Sequence, residues 1–256
     1  MHSAVPIGGQ ITEMVLAVLL AALRLAPTLA FAPPFTLIKM PAPARVTMIV
    51  ALAAALPNLR GTPIPQTLAD GLIPAAFGEL GLGIAMALGL QWAFALVAMA
   101  GRALDIQAGF GLAFLIDPTT KAQMPLIGAI FNYATAVVFF TTNAPYDLLL
   151  TLAASFQRVP IGQATAPKNI GNLLEYLGTM SVLTLGLIGL AVTVLFLIDL
   201  VIAMMSRTLP QMNVLVLGFQ VKSFVTILLL PITLGLSGAA LVRILRLATE
   251  AMLTIG

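Results

Sequence analysis

The sequence predicts an all-α protein of the membrane type, with kinked and broken helical hairpins, and three observations support this. Of the 256 residues, 60% are hydrophobic and 8% are charged, whereas soluble domains average about 45–50% and about 25%. Six long apolar stretches appear when the chain is divided at its charges and prolines. None of these stretches alternates apolar and polar residues as a membrane-spanning strand does. A soluble globular protein is therefore excluded, and lipid or other protein must cover the surface.

The six stretches differ in quality, since a helix needs about 20 apolar residues to cross a bilayer. The first, residues 14–35, contains Arg24 and ends in two prolines, and the second, residues 46–59, is short and includes Pro57. We expect both to be irregular. The other four contain no Asp, Glu, Lys or Arg and are long enough to span: residues 80–101, 122–146, 176–198 and 223–242.

Proline and glycine predict breaks and close contacts within these stretches. Prolines inside or at the ends of apolar stretches predict kinks or breaks; they are Pro74, Pro125, Pro145 and Pro231. Gly81, Ala85 and Gly89 repeat every four residues, which would let a second helix approach one face closely. Ordinary use of small residues in a membrane helix explains the same pattern equally well.

The few charges limit the possible functions. Twelve Lys and Arg against nine Asp and Glu leave a net charge of +3, which does not indicate nucleic-acid binding. The chain has no Cys, and its single His is His2, so we expect no disulfide, cofactor or zinc site. No P-loop motif and no nucleophile beside a base are present. We predict that the protein is not an enzyme and that its N-terminus, which has no positive n-region, is mature.

Membrane orientation does not follow from the loops. If all six stretches crossed, the alternate loops would carry five and six Lys or Arg, whereas cytoplasmic loops should be enriched in them. Either the list of segments is wrong, or the chain is not held as a conventional series of spans.

Three charges lie within or beside long apolar runs: Arg24, Glu79 and Asp199. Insertion of such a residue at a helix centre costs roughly 2.5–3.5 kcal/mol, so each must face protein or water. We expect Arg24 to pair with a carboxylate, either Glu79, Asp199 or one on a partner subunit. A conduit lining or proton relay is the alternative.

Residues 101–125 form the most informative segment between spans. Arg102 and Asp105 are three residues apart and could form an ion pair on one helix face. That helix should end near Gly109 and Gly111, and Pro125 should begin the next one. The apolar loop between would fill a partner's groove, the membrane interface or the lumen of an assembly, or it would be a re-entrant turn buried in its own fold.

Residues 207–222, RTLPQMNVLVLGFQVK, resemble the R-x-x-P-Q-x-N-x-x-x-x-G-F-x-x-K signature of the FliR family of flagellar biosynthesis proteins and their virulence counterparts. Related stretches at 32–35, 78–89, 100–110 and 155–162 extend the resemblance over almost the whole chain. Gln220 stands where the family often has proline. The matching signature residues are Arg207, Pro210, Gln211, Asn213, Gly218, Phe219 and Lys222.

This resemblance implies one export-gate domain, with a FliP-like part over residues 1–175 and a FliQ-like hairpin over residues 176–256. It implies a non-enzymatic subunit that assembles with FliP and FliQ, and docks FlhB, in the inner membrane within the flagellar basal body, where unfolded substrates pass. A plug over about 106–125 would keep the gate closed. A virulence counterpart and a small-molecule or ion transporter are the alternatives. The implied plug residues are Phe110, Gly111, Leu112, Phe114, Leu115, Ile116 and Met124.

Overall fold

A computed structural model describes residues 7–59, 71–110, 114–116, 123–164, 170–208 and 214–255. The predicted all-α class is confirmed, because the regular structure in these ranges is helical apart from one short antiparallel ribbon. The elements are α1 (Ile7–Phe31), α2 (Pro33–Leu37), α3 (Ala42–Leu59), α4 (Leu72–Ala108), β1 (Phe114–Ile116), β2 (Gln123–Pro125), α5 (Leu126–Thr141), α6 (Ala144–Arg158), α7 (Ile170–Thr208) and α8 (Val214–Ile255).

Four helices in the described ranges are long and apolar enough to cross a membrane. Three of the four spans predicted to be regular fall within α4, α7 and α8, and the first irregular stretch falls mainly within α1. The predicted span at 122–146 is wrong as a single helix, because α5 ends at Thr141 and α6 begins at Ala144. Pro145 lies in the first turn of α6, where a missing backbone N–H is tolerated. The predicted break at Pro231 is absent, since α8 continues through it.

The described chain divides into two compact units. Unit 1 comprises Met1–Trp92, Asn143–Tyr176 and Leu245–Gly256, and unit 2 comprises Ala93–Thr142 and Leu177–Ile244. In unit 1, α1 packs on α3 and α3 on α6, around a core of Leu, Ala and Phe side chains. In unit 2, the last part of α4 lies against the start of α5.

Glycines allow the closest helix contacts in each unit. In unit 1, a Cβ atom on Gly83 would lie 2.4 Å from the backbone oxygen of Arg24, so α4 and α1 touch through their main chains. In unit 2, a Cβ atom on Gly101 would lie 2.5 Å from the Cα atom of Gly128. On the predicted small-residue face, a Cβ atom on Gly89 would lie 3.2 Å from Cγ of Met252 in α8, whereas one on Gly81 would have no neighbour within 4 Å. The close approach to α1 therefore occurs two residues further along α4.

Replacing Gly83 by alanine should destabilise the protein, because the methyl group meets backbone rather than a movable side chain. We expect the free energy of unfolding to fall by about 1–3 kcal/mol, seen as a lower apparent melting temperature of the detergent-solubilised protein. Gly81→Ala is the matched control on the same helix, and should be neutral or stabilising by up to about 1 kcal/mol. Equal effects of the two substitutions would contradict the packing described here.

Candidate functional site

Arg24 and Glu79 form a fully buried ion pair in unit 1. The guanidinium Nε donates to Oε2 of Glu79 at 2.6 Å, and Nη2 donates to Oε1 at 2.9 Å. This two-point geometry is the strong form of an arginine–carboxylate contact. Of the two carboxylates in this chain that the sequence offered as partners, the structure therefore places Glu79, and not Asp199, against Arg24.

Main-chain groups at the end of α6 and directly after it surround Arg24 and Glu79, and together with this ion pair they form the charge cluster. Nη1 of Arg24 donates to the carbonyl oxygens of Ser155 and Val159 at 3.0 and 2.9 Å. These carbonyls lie at the negative end of the helix dipole, which favours a cation. Oε1 of Glu79 also accepts from the N–H of Gly162 at 2.8 Å, and the guanidinium carbon lies 4.5 Å from the ring centroid of Phe156.

The charge cluster thus connects α1, α4, α6 and the turn that follows α6. Its groups are bonded and away from solvent, which favours a pairing role over a proton relay. Two of the stretches that carried the family resemblance, residues 78–89 and 155–162, supply the partners of Arg24.

A second buried carboxylate, Asp105, lies at the end of α4 in unit 2. It accepts from the N–H of Ile127 at 3.1 Å and from the N–H of Gly128 at 3.2 Å. The predicted ion pair with Arg102 is therefore wrong, since Arg102 is exposed and Asp105 is buried. The first turn of α5 attracts the carboxylate because its N–H groups are unsatisfied and the helix dipole is positive there. Pro125, predicted as the first helical residue, occupies the N-cap position instead.

Helix α4 ends at Ala108, directly before Gly109, near which its end was predicted. Gly109 has a φ of +86°, which favours glycine. Its N–H donates to the oxygen of Ile106 at 3.2 Å, and the N–H of Phe110 donates to the oxygen of Asp105 at 2.8 Å. Both bonds are those of a Schellman motif, which satisfies the last carbonyls of a helix.

The segment between α4 and α5 is only partly described. β1 pairs antiparallel with β2, with Leu115 opposite Met124, so the predicted apolar loop contains a short ribbon. Phe110 is half-buried. Gly111 and Leu112, and the side chains of Phe114, Leu115, Ile116 and Met124, lie outside the described residues.

The signature residues that the structure describes lie at the end of α7 and on α8. Arg207 is exposed near the end of α7, and Pro210, Gln211 and Asn213 lie outside the described residues. α8 begins at Val214, so Gly218, Phe219 and Lys222 are helical. Lys222 pairs with Asp199 of α7 in a partly exposed ion pair.

Signature residues and the end of α4 line a common cleft of about 400 Å³ in unit 2. A Cβ atom on Gly109 would lie 2.4 Å from the ring of Phe219. The Ser223 hydroxyl donates to the oxygen of Ala108 at 3.4 Å. The contact between Gly109 and Phe219 was not predicted from the sequence, although the dipeptide Gly-Phe occurs at both 109–110 and 218–219. The lining residues are Ile106, Gln107, Gly109, Asp199, Ile202, Ala203, Ser206, Gly218, Phe219 and Lys222.

These features define a helical membrane protein in which the buried Arg24 and Glu79 pair with each other, and the described residues contain no cluster of three or more His, Cys, Asp or Glu that could hold a metal. The sequence model of bacterial export proteins, family 1, matches residues 15–248. The chain belongs to this family, and the resemblance to FliR is confirmed. It is thus a membrane protein of a bacterial export apparatus.

Individual relatives agree with this assignment. Flagellar biosynthetic protein FliR of Bacillus subtilis is 33% identical over 184 residues, which cover 69% of this chain and 70% of the relative. FliR of Escherichia coli is 29% identical over 156 residues, 60% of each chain. Surface presentation of antigens protein SpaR of Salmonella typhimurium is 26% identical over 167 residues, 65% of this chain and 63% of the relative.

Glu79→Ala should strongly destabilise the protein, because it leaves the Arg24 guanidinium buried without its counter-ion. We expect the free energy of unfolding to fall by about 3–5 kcal/mol, measured as a lower melting temperature in detergent. The control is Glu250→Ala, which removes the exposed pair between Glu250 and Arg246 and should cost under about 1 kcal/mol.

The double variant Arg24→Met with Glu79→Leu separates packing from charge function. If the pair only holds helices together, the double variant should recover most of the stability that Glu79→Ala loses. Recovered stability together with lost export would instead show that the charges themselves act in transport.

Proposed function

We propose that this chain is a structural subunit of a flagellar type III protein export gate in the bacterial inner membrane. In this proposal it assembles with FliP and FliQ within the basal body and helps to form the channel for unfolded flagellar proteins. Membership of the export family and the FliR relatives support the flagellar system. The observation that carries the assembly proposal is the uncovered apolar surface of α7 and α8.

Both helices are long and poorly covered by the rest of this chain. Only 22% of the most apolar window is buried in α7, and the same share in α8. With 39 and 42 residues, the helices are about 59 and 63 Å long at 1.5 Å per residue. A bilayer core is about 30 Å thick, so lipid covers about half of each length. Exposed large side chains include Val182, Leu185, Phe196, Leu200, Met204, Phe224, Ile227, Ile232 and Leu236.

Neighbouring helices of FliP and FliQ would cover the remaining apolar surface. Helices that end in a protein collar need not follow the charge rule for loops at a lipid surface, which accounts for the nearly equal numbers of Lys and Arg, five and six, in the alternate loops. The transporter alternative has no support in the buried charges, because Arg24 and Glu79 are fully bonded within the chain.

A virulence export system is the second candidate. Its support is the similarity to SpaR proteins of Salmonella typhimurium and Shigella flexneri, at 26% and 24% identity. The 33% identity to a FliR protein favours the flagellar system.

We also propose that the segment after α4 acts as the plug of this gate. Residues 110–116, FGLAFLI, carry no charge, and bulky apolar side chains close a narrow pore to ions. Phe110, Phe114 and the flexible Met124 contribute to the seal in this proposal. Residues 210–222, which include the start of α8, are proposed as the place where FlhB docks.

Co-expression with FliP and FliQ from the same organism tests the assembly. We expect one stable hetero-oligomer after detergent purification, with its composition read by native mass spectrometry. Val182 and Leu185 both replaced by Glu on the uncovered face of α7 should abolish co-purification, whereas Glu250→Ala should not. A lone monodisperse chain that folds without either partner would overturn the proposal.

Deleting residues 110–116 tests the plug. The assembled complex should then conduct ions in a planar bilayer, because the uncharged seal is gone, whereas the complex with the full chain should stay closed. Native mass spectrometry confirms that both complexes have the same composition. An unchanged conductance in the deleted complex would reject the plug.

A further inference from the structure

We infer that Phe219 is a positioning residue that holds the root of the proposed plug, defined as Ala108, Gly109 and Phe110, against helix α8. The signature Gly-Phe pair would then set the resting position of the plug. This inference rests on the proposed function of the segment after α4.

The contact between Gly109 and Phe219 leaves no space for a side chain. A Cβ atom at position 109 would lie 2.4 Å from Cε1 and 2.6 Å from Cδ1 of the ring. Gly109 also has the left-handed φ that ends α4. The residue at which the chain leaves α4 is therefore the residue on which the ring rests.

Three further contacts fix the rotation of α8 that points Phe219 at Gly109. Gly218 lies close to α7, because a Cβ atom there would be 3.5 Å from Cδ1 of Ile202. One turn later, Lys222 pairs with Asp199, and the Ser223 hydroxyl donates to the oxygen of Ala108. Positions 219 and 223 lie on the same helix face, so both reach the end of α4.

The far end of the segment is held by a stronger contact. Asp105 accepts from two N–H groups in the first turn of α5, and it lies four residues before Gly109. Both ends of the segment are therefore attached to one turn of α4. Asp105 is buried and accepts two hydrogen bonds, whereas Phe219 is 50% exposed and makes an apolar contact. The Phe219 contact is the one that separates first when the segment moves.

Ion conductance of the complete purified gate complex tests the inference. Phe219→Ala should raise the leak by about tenfold, as a lost contact shifts a closed population, and Phe219→Leu should give an intermediate leak. The matched control is Tyr133→Ala on α5, whose aromatic side chain is also 50% exposed and should leave the leak unchanged. Native mass spectrometry must show the same composition for every complex.

The outcomes separate this inference from the proposed function. If the complex lacking residues 110–116 leaks while the Phe219→Ala complex stays closed, the inference is wrong and the plug stands. If both complexes assemble and stay closed, the plug and the inference both fail. Where Phe219→Ala prevents assembly, Gly109→Ala displaces the same ring from the opposite side, and a closed Gly109→Ala complex would overturn the inference.

Discussion

The arginine inside the apolar helix packing of unit 1 is the constraint that shapes this part of the molecule. A guanidinium in such surroundings needs a counter-ion and acceptors for its remaining N–H groups. Glu79 supplies the charge, and the carbonyls of Ser155 and Val159 supply the acceptors. Three helices must therefore meet at one level. Gly83 is consistent with this requirement. It lies one turn after Glu79 and lets α4 approach the α1 backbone at Arg24.

Unit 2 solves a different problem with similar chemistry. A long helix has to end and the next has to begin close by, which leaves unsatisfied carbonyls at one end and unsatisfied N–H groups at the other. The left-handed Gly109 closes α4 through main-chain bonds, and Asp105 provides the acceptor for α5. One turn of α4 thus holds both ends of the segment on which the proposed gating depends.

Composition and local pattern were enough to predict the helical membrane class, the end of α4 at Gly109 and the family. The class depends on the length of the apolar stretches, the helix end on the backbone preference of glycine, and the family on a short sequence signature. The partners of Arg24 and Asp105 could not be chosen in this way. Glu79 lies 55 residues from Arg24, and its choice over Asp199 depends on which helices approach. Asp105 and Arg102 illustrate the same limit, because helical spacing favours their pairing while the nearby N-terminus of α5 captures the carboxylate.

On the side of α6, the charge cluster is bound by main-chain atoms, so sequence changes there affect it less directly than changes of Arg24 or Glu79 would. Carbonyls at 155 and 159 and the N–H at 162 are present whatever side chains these positions carry. Substitutions that fit the local packing therefore leave the three groups in place, except at Gly162, which has a φ of +84°. An inserted or deleted residue would shift all three groups out of register. The turn can therefore vary in residue type but not in the number of its residues.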